Sequence, residues 1–225
     1  MISKIILLFT SKVILLSKSE KKLFKKLFRN TNFFVLENTI ETEYDFGEKK
    51  KRKGKTRFIY ISNYIKEKGI FELLKVFSEL SKSNDNIVLE TYGEFTNEED
   101  KAKILSYDSD KIRINGQIIG QKKMEKIFKS DCLVLPSYNE GQPLILLEAM
   151  SVGTDIISSK VGTISEMVGE DYKYFVLPQN EDSLKNAFLN YLNVNDNANG
   201  SYLQQKYYSK FSKLKHSKKV LEIFN

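Results

Sequence analysis

Apolar residues along this chain fall into short continuous runs, with amphipathic stretches between them. Runs of strand length occur at residues 11–17, 32–36, 57–61, 87–91, 111–114, 132–135, 155–159 and 174–177, most of them followed closely by Gly, Asn, Ser or Pro. Between them, apolar positions three and four apart predict helices at 20–28, 70–80, 121–129, 143–152, 182–192 and 202–224. Phe71, Leu74, Phe77 and Leu80 line one face of the second helix, and Leu23, Phe24, Leu27 and Phe28 that of the first. Strand and helix alternate, which predicts an α/β chain with a Rossmann-like, doubly wound parallel sheet. A polar loop is expected at 193–201, and there is no internal repeat.

The most informative stretch is 130–159. The apolar run 132–135 ends at Pro136, Ser137 and Asn139 punctuate a loop, and a second apolar segment opens at Pro143. Proline suits a helix start and Gly153 a helix end, so the pattern reads strand, loop, helix. The free N–H groups of Gly141, Gln142 and Leu144 at that helix start, with the positive end of the helix dipole behind them, make an anion site of the kind that holds phosphates. Glu140 stands just before the helix and Glu148 in its second turn, and positions 141, 144, 145 and 148 share a face. Carboxylates repel phosphate, so their presence needs another reason. An ionised carboxylate accepts two O–H donors, and sugar hydroxyls supply them: Glu148 fits a ribose diol and Glu140 the hydroxyls of a transferred sugar. The plain alternative is a loop charge and an exposed helix residue.

Asn139-Glu140-Gly141-Gln142-Pro143-Leu144, with Leu147-Glu148-Ala149-Met150 and Gly153, resembles the signature of glycosyltransferase family 4. That family comprises retaining enzymes of the two-domain GT-B fold. Residues 158–162 and Glu166 resemble the loop and acidic residue that follow its signature. The resemblance implies that 57–200 is the nucleotide-sugar donor-binding domain, the C-terminal half of a GT-B fold. It implies that 1–46 is a strand-helix-strand remnant of an N-terminal acceptor domain, 47–56 a basic linker, and 201–225 a C-terminal helix crossing back to the remnant. Ser62, Asn63, Lys68 and Gly69 fall in the loop that contacts the donor diphosphate, where Lys68 and Gly69 match the family and Asn63 replaces its usual arginine. Losing that charge-assisted bond weakens charge stabilisation by about 1.5–3 kcal/mol. Gly93 and Gly116, each ending a strand, resemble positions around the nucleotide base. Glu140 and Lys68 are thereby the candidate catalytic residues. Gly141, Gln142, Pro143, Leu144 and Glu148 complete the donor site, and no metal or other cofactor is implied.

Composition narrows the remaining classes. A chain of 225 residues suits one good-sized α/β domain with appendages, and two full Rossmann domains do not fit. Net charge is +7, which favours phosphorylated ligands, nucleic acid or an anionic membrane face without choosing among them. The run 47–55, GEKKKRKGK, is basic but has no interleaved aromatics, so no nucleic-acid partner is expected. Cys132 is the only cysteine, which excludes a disulfide framework and a zinc site and points to a reducing, cytoplasmic setting. His216, the only histidine, lies near the tail, away from the candidate site. The apolar stretch within 1–16 is too short and broken for a membrane span and lacks a cleavage site, whereas the basic helix 20–28 suits either ordinary packing or an anionic, inner membrane surface. Three functions remain open: a transferase that borrows a separately encoded acceptor domain or is itself a shortened product of a longer gene, for which the resemblance implies surface polysaccharide or lipid-linked glycan synthesis; a non-catalytic nucleotide-sugar binder; and a basic membrane or nucleic-acid adaptor.

Overall fold

The computed structural model describes residues 12–28, 31–41, 43–47, 49, 54–194 and 198–225. The expected strand at 11–17 begins partly outside them, as does the apolar segment before it, and most of the basic linker lies outside them too. Strand β1 (Lys12–Leu15), helix α1 (Lys18–Leu27) and strand β2 (Asn32–Val35) form a βαβ unit whose two strands pair in parallel as a separate small sheet.

The main body contains β3 (Thr56–Ile61), α2 (Ile70–Ser83), β4 (Ile87–Tyr92), α3 (Glu98–Leu105), β5 (Ile112–Asn115), α4 (Gly120–Lys129), β6 (Cys132–Leu135), α5 (Leu144–Ser151), β7 (Asp155–Ser159), α6 (Ile164–Val168), β8 (Phe175–Val176) and α7 (Glu181–Asn193). Its six strands run parallel in the order β5-β4-β3-β6-β7-β8. Helices cover a parallel sheet on both faces, so its inner strands lack alternation. Accordingly every residue of β6 and β7 is buried. Phe58 of β3 meets Phe77 of α2 and Phe188 of α7 edge-on, with ring centres 5.7 and 4.9 Å apart, and this triad anchors one helical layer. Helices α4, α5 and α8 (Ala198–Lys210) pack on one another as the second layer.

The expected single helix at 202–224 is two helices, α8 and α9 (Lys213–Phe224), and α8 already occupies the end of the expected 193–201 loop. The break has a tertiary cause. Phe211 is buried, the N–H groups of Phe211 and Ser212 both return to the Tyr207 carbonyl, and the Glu43 carboxylate accepts the N–H of Lys213 where α9 begins. Two short helices, α3 and α6, were not anticipated from the sequence. The end of the chain folds back on residues 37–41 and on Glu43. Glu37 is buried and pairs with Lys219 and with Lys210 (3.5 Å), and the His216 ring bonds the Glu37 carbonyl. Tyr207 and Phe211 are buried, whereas Leu214, Leu221 and Phe224 are exposed. Among the described residues no helix is long and apolar enough to cross a membrane.

Candidate active site

Strands β3 and β6 are neighbours although two strands and three helices separate them in sequence. That is where the winding reverses, and the loops leaving the carboxyl ends of such strands diverge to leave a crevice. Loop 62–69 follows β3 and loop 136–143 follows β6, so topology alone brings both sequence motifs to one place.

Backbone contacts too close for a side chain hold these loops together. A Cβ on Gly69 (φ +70°) would lie 2.3 Å from the Pro136 carbonyl oxygen, and one on Gly93 2.1 Å from that of Ser62. The N–H of Tyr138 donates to the Glu67 carbonyl at 2.8 Å. From the far side, Gly162 (φ +55°) brings the loop after β7 against the Glu140 carbonyl, and the N–H and hydroxyl of Thr163 both donate to the Gly141 carbonyl. Tyr64 is buried and fastens loop 62–69 to the neighbouring strands, its hydroxyl donating to the Asn115 carbonyl at 2.6 Å. Burial pushes that hydroxyl up to about 12.

Within this frame Lys68 and Glu140 meet, Nζ to Oε1, at 2.8 Å. Lys68 ends a 3-10 turn (Lys66–Lys68) before α2, and Glu140 is almost buried. Helix α5 begins at Leu144, with Pro143 as its N-cap rather than inside its first turn as expected. The N–H groups of Gly141, Gln142 and Leu144 have no hydrogen-bond partner among the described residues, so this helix start offers open donors beside the Lys68–Glu140 pair. A Cβ on Gly141 would touch nothing, so internal packing does not demand glycine there.

Glu148 lies one turn further along α5, and its Oε1 accepts from Lys123 of α4 at 2.6 Å. Burial raises its carboxyl above the usual range, against the opposing pull of Lys123. Glu148, Lys123, Gly120, Met124, Ile40, Glu41 and Tyr44 line an open cleft with an empty volume of about 450 Å³.

The other sequence candidates divide. Gln142 does not turn its side chain toward the anion site. Its Oε1 accepts from the Asn38 N–H and its Nε2 donates to the Leu16 carbonyl, because the βαβ unit stands over this loop and supplies partners for a buried amide. Ser62 and Gly93 meet through backbone, as described. Asn63 is exposed, and its side chain makes no hydrogen bond among the described residues. Gly116 is exposed with nothing near its Cβ position. Glu166 faces α1: its carboxylate accepts from the Lys18 and Ser19 N–H groups at 3.1 Å and from the Ser19 hydroxyl. Burial alone would raise that carboxyl, but these donors and Lys210 together hold it below the usual range. Lys123 and Gly162 were missed as site residues. Lys123 is one of several lysines on its helix, and no local signal marks its partner.

Comparison with known proteins agrees with this geometry. Residues 41–210 match the family described as Glycosyl transferases group 1. TuaC of Bacillus subtilis, assigned as a glycosyltransferase of teichuronic acid biosynthesis, is 26% identical over 133 residues, 59% of this chain and 32% of the relative. Glycogen synthase of Mycobacterium tuberculosis is 25% identical over 141 residues, 60% of this chain and 33% of the relative. The chain thus spans about a third of the length of the curated relatives it matches. Among solved structures, a variant of TarM from S. aureus, crystallised with Fondaparinux, alpha-GlcNAc-glycerol and UDP, superposes with a TM-score of 0.80 at 20% identity, over 99% of this chain and 46% of that one. The six-stranded body therefore has the architecture of GT-B glycosyltransferase structures, and by its match over residues 41–210 the chain belongs to the glycosyl transferases group 1 family.

Proposed function

We propose that the chain carries the donor-binding half of a retaining glycosyltransferase of family 4, which moves a hexose-type sugar from a nucleotide diphosphate to a glycan or lipid-linked acceptor. The observation that carries this reading is the start of α5, where unbonded N–H groups stand beside the Lys68–Glu140 pair at the switch between β3 and β6. Gly141, Gln142 and Leu144 bind the diphosphate through backbone N–H groups, and Glu140 holds hydroxyls of the sugar. Glu148 holds the ribose. As the bond from the anomeric carbon to the diphosphate breaks, negative charge grows on the leaving phosphate, and the acceptor hydroxyl arrives on the same face, bonding to that carbon and passing its proton to the leaving phosphate. Lys68 and the α5 N–H groups offset that charge, so the chemistry needs no metal. The relatives' printed roles favour a polysaccharide product; the cytoplasmic setting rests on the lone cysteine, contact with an anionic membrane on the basic, amphipathic α1, and an acceptor held by a further domain or a separate protein on the family resemblance. A second reading, a nucleotide-sugar binder without turnover, is favoured by Asn63 in the arginine's place.

Calorimetry with UDP-, GDP- and ADP-sugars is expected to show binding of at least one. Heat from none would refute both readings and leave the basic adaptor. Release of nucleotide that falls at least about a hundredfold in Glu140→Ala supports the transferase. Equal, slow release from wild type and variant, with an acceptor-domain protein added, supports the binder.

A further inference from the structure

Lys123 has no assigned role, yet it supplies the only hydrogen bond to the Glu148 carboxylate found among the described residues. Both side chains are mostly buried, at 24% and 13% exposed, and both line the open cleft described above. The second oxygen, Oε2, is buried and has no hydrogen-bond partner. A charged carboxylate half-bonded in a mostly buried position is costly unless a cation stands against it. The other titratable groups facing the cleft are Glu41, which cannot supply that cation, and Tyr44.

We propose that Lys123 is a positioning residue of the nucleotide site, holding Glu148 charged and fixed through Oε1 so that its carboxylate accepts from an entering ribose hydroxyl. The inference rests on Glu148 as the ribose acceptor. A protonated carboxyl has lost acceptor capacity, and without the ammonium burial raises the Glu148 carboxyl further. Removing Lys123 therefore weakens ribose binding most at low pH, and raising the pH restores it as Glu148 ionises.

The test measures dissociation constants of wild type, Lys123→Met and Lys123→Arg from pH 6.0 to 8.5. The probes are whichever of UDP, GDP and ADP binds wild type best and its 2′,3′-dideoxy analogue. Expressing each variant relative to wild type at the same pH removes titrations shared by both. Lys123→Met is expected to bind the ribonucleotide about tenfold more weakly at pH 6.0, with the gap closing by pH 8.5, and the dideoxynucleotide without a pH-dependent difference. Lys123→Arg is expected to keep wild-type affinity and pH profile. A loss that is constant with pH, or equal for both nucleotides, means that Lys123 acts only as a general positive charge or as packing and overturns the inference, as does no loss at all. Wild type that binds both nucleotides equally refutes instead the placing of ribose at Glu148, whatever Lys123 does.

Discussion

Gly162 offers the sharpest test of how the crevice is built, because it meets Glu140 through backbone alone. In Gly162→Ala the added Cβ would sit 1.8 Å from the Glu140 carbonyl oxygen and 2.8 Å from its carbon, where real contacts stay beyond 3.0 Å. Both atoms are backbone, so no side chain can swing aside, and the loops must part by about 1.2 Å, the difference between the two oxygen distances. Alanine at φ +55° adds about 1–2 kcal/mol of its own. Parting the loops also strains the two bonds from Thr163 to the Gly141 carbonyl, at about 0.5–1.5 kcal/mol each. The total, about 2–5 kcal/mol, lowers the melting temperature by about 4–20 °C in a chain of this size. Displacement of Glu140 by about an ångström lowers donor turnover about a hundredfold.

Gly141→Ala is the control, since its Cβ meets nothing within 4 Å. Its melting temperature is expected within about 2 °C of wild type, while nucleotide affinity falls because the methyl group intrudes where the phosphates approach. Differential scanning calorimetry and nucleotide titration on both variants separate the two roles. A Gly162→Ala protein with wild-type melting temperature would refute the close packing of the loops, and a Gly141→Ala protein with wild-type affinity would refute the anion site.

Three further outcomes follow from the same geometry. Asn63→Arg returns a cation to the loop after β3, so kcat/KM for the preferred sugar donor is expected to rise at least tenfold, equivalent to about 1.4 kcal/mol; an unchanged value would place residue 63 away from the diphosphate. Glu37→Ala leaves Lys210 and Lys219 without their buried carboxylate, and urea unfolding is expected to report a loss of about 1.5–3 kcal/mol, whereas less than about 1 kcal/mol would mean that the pairs hold nothing together. Glu166 has a carboxyl lowered on folding, so its contribution is present above its unfolded value and is lost as pH falls through the lower, folded value. The difference in stability between wild type and Glu166→Gln, about 1 kcal/mol at pH 7, is therefore expected to vanish in acid, and a difference constant with pH would count against the contact with α1.

What the sequence disclosed follows from where the forces are local. The run 132–135 is apolar because β6 is buried on both faces, and Pro143 and Gly153 mark α5 to within a residue at each end, so strand, loop and helix were all legible. Helix α3 escaped notice because only Ile104 is buried among its eight residues, leaving no apolar stripe to read, although Asn97 caps its start by accepting the Asp100 N–H. The break between α8 and α9 carries no proline or glycine. It depends on Phe211 turning into the core and on Glu43, 170 positions from Lys213 in sequence, accepting a backbone N–H. Gln142 was read correctly as part of the loop, but the partners of its side chain, Asn38 and Leu16, come from a distant segment that no local pattern could have indicated.

The same distinction resolves the oddest feature of the central motif, acids beside an anion site. Glu140 and Glu148 look repulsive to phosphate only while their partners are unknown. The fold brings a lysine from a different element to each, Lys68 from the turn before α2 and Lys123 from α4, at 2.8 and 2.6 Å. Each pair is neutral as a unit, so the helix start keeps its positive character and the acids remain available as acceptors. A sugar diphosphate carries both kinds of group, phosphates that attract Lys68 and the α5 N–H groups and hydroxyls that suit the carboxylates. On the proposed reading its binding gives Lys68 and Glu140 new partners in place of each other, while Lys123 stays on Glu148 and a ribose hydroxyl joins that pair. A bare phosphate offers Lys68 a new partner but leaves Glu140 with none, and a neutral sugar does the reverse. Such a crevice is expected to favour ligands that join the two chemistries, and on that reading both acids act in recognition of the donor.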